Sequence, residues 1–216
     1  MISSTSLNSL LLSLWWLWIL VVVIFFYKLF KATIKGILGE LVVSFFLSRL
    51  DKKKYRVIND LLLQVGDRTC QIDHVVVSNF GIFVIETKNY SGWIFGDESS
   101  LNWTQVLYKN KQKFYNPLKQ NQGHITMLQK VLPGYPSVYY VSLVVFSLNA
   151  KFKFTYPLQG VIHSVNLLRE IKEYSIELIS DADCDRIYSI LRSSNITDTG
   201  AMRRHIQSIR NNTNRV

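Results

Sequence analysis

Cys70-Gln71-Ile72-Asp73-His74-Val75-Val76-Val77 and Ile82-Phe83-Val84-Ile85-Glu86-Thr87-Lys88, joined by Ser78-Asn79-Phe80-Gly81, decide the reading of this chain. Two runs of β-branched and aromatic residues on either side of a short glycine-containing turn are the pattern of a hairpin. A two-residue loop (Asn79, Phe80) and a four-residue loop (Ser78 to Gly81) give the same register, with Asp73 opposite Glu86. Glu86 and Lys88 are two apart and share that face, while His74 leaves on the other face and is not counted as a ligand. Facing Cβ atoms in an antiparallel pair lie about 4.5–5.5 Å apart. Two carboxylates at that spacing repel, and a divalent cation between them turns the repulsion into binding. Asp73 and Glu86 are therefore read as metal ligands. Hard oxygen donors suit Mg²⁺ or Mn²⁺, which keep several waters for a substrate phosphate. Lys88 places an ammonium beside that cation, where it can orient a water or offset charge developing on phosphoryl oxygens.

Working outward, Ile37, Leu38, Leu41, Val42, Phe45 and Phe46 recur at helical spacing, and Glu40 is the acid of that helix. Tyr55 to Gln64 reads as a first strand. Trp93-Ile94-Phe95 is a short apolar piece between Gly92 and Gly96, and Asn102 to Tyr115 reads as a twisted hairpin. Asn116-Pro117 starts a helix that runs to about Leu132, with Asn116 as its cap and Pro117 in its first turn. Val138 to Ser147 carries no charge and is expected at the centre of the sheet. Gly160 to Val165 is a further strand. Asn166–Tyr174 and Asp181–Ser193 read as helices, the latter with Asp181 as N-cap, and Met202 to Ile209 as a short amphipathic stretch. A meander packed by helices, with a later central strand, is an α/β sandwich.

The first thirty residues have a different character. Leu10 to Tyr27 is eighteen residues without a charge, long enough to be read as a transmembrane helix. Lys28, Lys31 and Lys35 follow, and positive flanks stay in the cytoplasm. The expected organisation is a short N-terminal segment (1–9) outside, a membrane helix (10–30), a cytoplasmic domain (36–150) and a helical extension (151–216). Cys70 and Cys184 are too few for a disulfide framework. The formal charge of +10 lies mainly at the ends: residues 1–54 carry +5, residues 192–216 carry +4, and the middle only +1. Lysines near the membrane segment can meet anionic head groups. Arg203, Arg204, Arg210 and Arg215 contact nucleic acid or simply solvate a helix.

Gly36-x-x-Gly39-Glu40, Gln71-Ile72-Asp73-His74, Gly81-Ile82-Phe83-Val84-Ile85-Glu86-Thr87-Lys88-Asn89-Tyr90-Ser91-Gly92, Trp103 and Asn116-Pro117-Leu118-Lys119-Gln120-Asn121 together resemble the nuclease-related domain (NERD) family. That family is regarded as a branch of the PD-(D/E)XK, restriction-endonuclease-like superfamily. The resemblance spans about Gly36 to Ser147. It implies an α/β fold with a mixed central sheet flanked by helices, here preceded by one transmembrane helix. It also implies that Asp73 and Glu86 hold the metal, that Lys88 is the catalytic lysine, that Glu40 supplies an acid from the first helix, and that Gln120 stands beside the site.

The expected function is a membrane-anchored, Mg²⁺- or Mn²⁺-dependent nuclease acting on DNA or RNA at the cytoplasmic face. The alternative is a catalytically silent, membrane-tethered binding or scaffold module. Trp103, Tyr108 and Tyr115, with Lys109, Lys111, Lys113 and Lys119 nearby, resemble a stacking and phosphate surface. Of these, Trp103 reads as core packing. The lysines, with Asn121, are the substrate-binding candidates.

Overall fold

The computed structural model describes residues 15–196, and contacts divide the chain into two compact units, Met1–Leu38 and Gly39–Val216. Helix α1 (Trp15–Leu47) is one continuous element of 33 residues, where the sequence reading expected a membrane segment and a separate helix. Its described side chains from Trp15 to Tyr27 are all exposed. Among the described residues no helix is long and apolar enough to cross a membrane. The described uncharged run, Trp15 to Tyr27, holds thirteen residues. That is a helix of about 20 Å against a hydrocarbon core of about 30 Å. The first five residues of the expected span, 10–14, lie outside the described residues, as do the Met202–Ile209 stretch and the four C-terminal arginines.

In the second unit a five-stranded mixed sheet has the order β1 (Tyr55–Val65), β2 (Arg68–Ser78), β3 (Gly81–Lys88), β7 (Tyr140–Phe146), β9 (Val161–His163). β1, β2 and β3 form an antiparallel meander, and β7 and β9 add in parallel. The uncharged β7, expected at the centre, lies in the interior of the sheet between β3 and β9, while β3 takes the central place. The hairpin closes on the pair Ser78 and Gly81. Gly81 has φ 136°, a region that favours glycine. Asn79 in the loop is buried, and its amide donates to the Ile179 carbonyl and to Asp181. The hairpin tip is thus fastened to residues a hundred positions away.

Helices cover both faces of this sheet. On one face Val43 and Leu47 of α1 pack with Val76, Phe83, Ile85 and Leu143, together with Leu167 and Ile171 of α3 (Leu167–Glu173). On the other, Ile125 and Leu128 of α2 (Pro117–Val131) pack with Val75, Val77, Ile82 and Val84, together with Ile187 and Leu191 of α4 (Asp181–Ser193). Asn116 caps α2 by accepting from the Leu118 amide. For α4 the cap is Ser180, whose hydroxyl accepts from the Asp183 amide, so Asp181 stands one residue inside the expected boundary.

A second sheet, in the order β6 (Asn110–Tyr115), β5 (Asn102–Leu107), β4 (Gly92–Phe95), β8 (Ala150–Phe152), went unforeseen as a sheet because β8 is only three residues long. Its inner side buries Ile94 and Trp103, and the Trp103 ring stacks on Phe146 at 6.2 Å. The buried indole also donates to the Asp97 carbonyl. Trp103→Ala should destabilise the protein by about 3–5 kcal/mol. Tyr108→Ala, at a side chain that is 93% exposed, should stay within about 0.5 kcal/mol. Chemical denaturation of the two variants checks this, and equal small losses would remove Trp103 from the core.

Candidate active site

β2 does not alternate uniformly. Val75 and Val77 belong to the core under α2, and so does Ile72, which strict alternation would send to the other side. β1 shows the same shift, with Ile58 and then Leu61 and Leu63 in that core. The irregularity centres on one position in each strand. Asn59 pairs with His74 and Leu61 with Ile72, but no ladder pair forms between Asp60 and Asp73. Asp60 has φ 53°, a left-handed conformation that aspartate tolerates better than most residues.

On the β3 side, the register follows the expected alignment up to His74 and Ile85 and ends there, one pair short of Asp73 and Glu86. Asp73 instead turns its carboxylate to the backbone, where Oδ2 accepts from the Thr87 amide at 2.7 Å. The side chain takes the place of a ladder carbonyl because a carboxylate outcompetes a neutral acceptor for an N–H. Asp73 and Glu86 nevertheless remain electrostatic neighbours. Burial, then the Glu86 charge, push the Asp73 carboxyl up to about 7, although the Thr87 amide pulls it down.

Glu86 is buried, and both its oxygens are engaged. Lys88 Nζ donates to Oε1 at 2.6 Å, and His124 Nε2 on α2 lies 3.0 Å from Oε2. Burial pushes the Glu86 carboxyl up, but Lys88 and His124 outweigh it and hold it below the ordinary range. Lys88 also donates to Gln120 Oε1 at 3.0 Å. Burial pulls the lysine down, and its pairing with Glu86 outweighs that and raises it.

His124 is the site residue that sequence reasoning missed. Its Nδ1 lies 2.9 Å from the Cys70 sulfur. Burial pulls the imidazole down, yet the hydrogen bonds to Cys70 and Glu86 win and its pKa is about 9. At neutral pH it is therefore an imidazolium, donating from both nitrogens. The signal was available, since Gln120 and His124 are four positions apart and so share one face of α2.

Glu40 comes from α1, which can approach because residue 39 is glycine. A Cβ there would sit 2.6 Å from the Asn89 Cβ, just beyond Lys88. Burial, followed by the charges of Asp60 and Glu86, raises the Glu40 pKa, while Lys88 lowers it. His74 faces α1: its Nδ1 is 2.8 Å from Asn59 Oδ1, and the Asn59 amide donates to Ser44. Burial lowers its pKa to about 4, so it is neutral.

Two substrate expectations need correction. Asn121 is completely buried, and its amide donates to Val84 O, Ser142 Oγ and Leu143 O. It joins α2 to the sheet and cannot meet a substrate. The four lysines are also not one group. Lys109, Lys111 and Lys113 are exposed on the β5–β6 hairpin, whereas Lys119 on α2 lines a cavity of about 380 Å³ with Tyr139 and Tyr140.

Among the described residues, no three His, Cys, Asp or Glu side chains form a ready metal cluster. The donor set still fits a hard divalent cation, which needs only one or two carboxylates and retains water on its other positions. Asp73 and Glu86 would offer carboxylates to such a cation, Glu86 through oxygens that here bond Lys88 and His124.

This arrangement has relatives. The nuclease-related domain model matches residues 35–147. An uncharacterized protein of Bacillus anthracis is 33% identical over 186 residues, covering 82% of this chain and 84% of that protein. No solved structure matches the chain. The chain belongs to the nuclease-related domain family, whose segment contains the whole Glu40, Asp73, Glu86, Lys88, Gln120 and His124 group.

The raised Asp73 pKa has a measurable sign. Unfolded, Asp73 titrates near 3.9. Between about pH 4 and 7 the folded domain keeps a proton that the unfolded chain has lost, so Asp73 makes metal-free stability fall as pH rises through that window. His74 acts oppositely, since its neutral folded form loses stability as pH falls from about 6.5. Comparing Asp73→Asn with the parent isolates the aspartate. In EDTA, the stability difference should grow in favour of the mutant from pH 4 to 7, by at most about 1.4 kcal/mol per pH unit, and then level off. A flat difference would show that Asp73 carries an ordinary pKa.

Proposed function

We propose that this protein is a divalent-metal-dependent nuclease that hydrolyses phosphodiester bonds of DNA or RNA. The observation that carries the reading is the Gln120–Lys88–Glu86–His124 chain of hydrogen bonds beside Asp73. Asp73 and Glu86 would hold Mg²⁺ or Mn²⁺. When bound, such an ion polarises a phosphoryl oxygen and lowers the pKa of a water.

The remaining roles belong to the chain's own side chains. An ammonium has three donors. Glu86 and Gln120 take two of those of Lys88, which fixes its direction and leaves the third for a phosphate oxygen or the attacking water. Glu40, whose pKa is raised by burial and by the charges of Asp60 and Glu86, would stand as the acid contributed by α1. Glu86 stays ionised because two cationic groups hold it so, while Asp73 would have to give up its proton to ligate a cation. Metal affinity accordingly weakens as pH falls below about 7.

The reading extends to location. The uncharged run from Leu10, exposed where it is described, anchors the chain in a membrane through Leu10–Phe30. The lysines that follow leave the N-terminus outside and the nuclease-related domain in the cytoplasm.

Labelled DNA and RNA incubated with the detergent-purified full chain and Mg²⁺ or Mn²⁺ test the activity. Cleavage should appear with metal, vanish with EDTA, and fall at least 10²-fold in Glu86→Gln and Lys88→Ala. Substitution of His74, on the other face, should cost less. Full cleavage by Lys88→Ala would remove that lysine from the mechanism.

Topology is tested separately. In intact cells, a membrane-impermeant thiol reagent should label a cysteine placed at Ser4 and not one at Asn212. Labelling at Asn212 alone would reverse the orientation.

A further inference from the structure

One face of the second sheet is unaccounted for by the site above. In one register row, Lys111 of β6, Val106 of β5, Trp93 of β4 and Lys151 of β8 lie side by side. In the next row Lys113, Thr104 and Phe95 align, and Lys153 continues from β8. Paired residues share a face, and this is the face opposite Ile94 and Trp103. Trp93 is 49% exposed and Phe95 39%, large values for aromatics standing two apart on one strand. Their rings are 6.4 Å apart, edge to face. The ammonium of Lys153 already lies over the Trp93 ring at 5.2 Å. The four lysines flank the aromatics from both sides, are all exposed, and form no ion pair among the described residues. The nearest acids in sequence, Asp97 and Glu98, lie in the loop after β4, where Asp97 is bonded to Ser99 and Ser100.

We infer that this face is a platform for single-stranded nucleic acid. Neighbouring bases stack on Trp93 and Phe95, while the backbone phosphates run between the Lys111/Lys113 and Lys151/Lys153 flanks. The inference rests on the nuclease reading and narrows its substrate class. Three properties favour this occupant. Every base offers a π-face, so two exposed rings bind a strand whatever its sequence. Lysines without acids on the face match a polyanion and repel a basic partner. A flat sheet meets base faces only when they are unstacked, and a duplex hides them. Trp93 follows Lys88 by five residues, so a strand held here is recruited by the segment that leaves the site.

The test uses the full chain in neutral phosphatidylcholine nanodiscs with EDTA, titrated into a fluorescein-labelled oligothymidylate and into a duplex of equal length. Anisotropy should show tighter binding to the single strand. Trp93→Ala and Phe95→Ala should each weaken it roughly tenfold, and Trp93→Phe should retain most of the affinity because it still stacks. Lys151→Gln and Lys153→Gln should each lower the slope of log affinity against log salt by about 0.7. Lys172→Gln, on α3, should change neither.

Because all of these side chains are exposed, circular dichroism should report unchanged folds. Unchanged oligonucleotide affinity in the aromatic variants overturns the platform, including the case in which they lose attachment to phosphatidylserine vesicles instead. Equal or tighter duplex binding, insensitive to Trp93, overturns it as well. Hydrolysis of bis-p-nitrophenyl phosphate with Mn²⁺, a substrate with no base to stack, reports the metal site alone. Its absence in the parent, beside Trp93-dependent strand binding, sinks the nuclease reading and supports the platform.

Discussion

The buried Glu86 carboxylate, held between Lys88 and His124, is the constraint around which this molecule is arranged. A lone ionised carboxylate in the interior is costly enough that it would normally take up a proton. Here one cation comes from the same strand and one from the helix laid across it. Removing either partner would leave one Glu86 oxygen without its hydrogen bond where solvent cannot reach it. That requirement fixes how α2 crosses the sheet. Gln120 and His124 must both reach β3, and the wholly buried Asn121 between them bonds the carbonyls of β3 and β7.

The same region departs from regular structure where chemistry would need it. Asp60 takes a left-handed conformation, the β1–β2 ladder skips a pair, and the β2–β3 ladder stops one pair early. Each departure frees a side chain that a regular sheet would keep in its alternation. Asp73 uses that freedom to bond the Thr87 amide, while Gly39 lets the helix bearing Glu40 approach from the other layer. Strain of this kind persists only where the surroundings over-determine it. The cores on the two faces of the sheet, with Val75 and Val84 on one side and Val76 and Phe83 on the other, supply that rigidity.

Much of this was legible in the chain, for identifiable reasons. The hairpin register followed from Ser78-Asn79-Phe80-Gly81 because loop length and alternation leave little choice. The start of α2 followed from Asn116-Pro117, whose chemistry suits a helix start. Residues that act through tertiary contact were harder to read. His124 looks like any polar residue on an amphipathic helix until α2 is laid over β3. The early end of the ladder at Asp73 is invisible to an argument that assumes alternation, since the competitor is a carboxylate bonding a backbone amide. Asn121 carried the resemblance yet is structural, because motif position does not reveal burial. The continuity of α1 was obscured by Lys28, Lys31 and Lys35, which read as a boundary although lysine is a good helix former.

The segment that carries the family signature ends at residue 147, and the hydrophobic core does not. β9 covers the open edge of β7, with the Val144 amide donating to the Gly160 carbonyl, and the Ile196 amide donates to the Leu62 carbonyl on β1. On the ribosome, therefore, every residue of the site emerges before the chain can bury it. The core closes only after about fifty further residues have been made, those from 148 to 196. Until then β7 is an apolar strand with a bare edge, the kind of surface that invites pairing with another chain. In this protein the signature is shorter than the folding unit, so a recombination event that transplanted residues 35–147 alone would move the candidate site without the strand and helices that close the core around it.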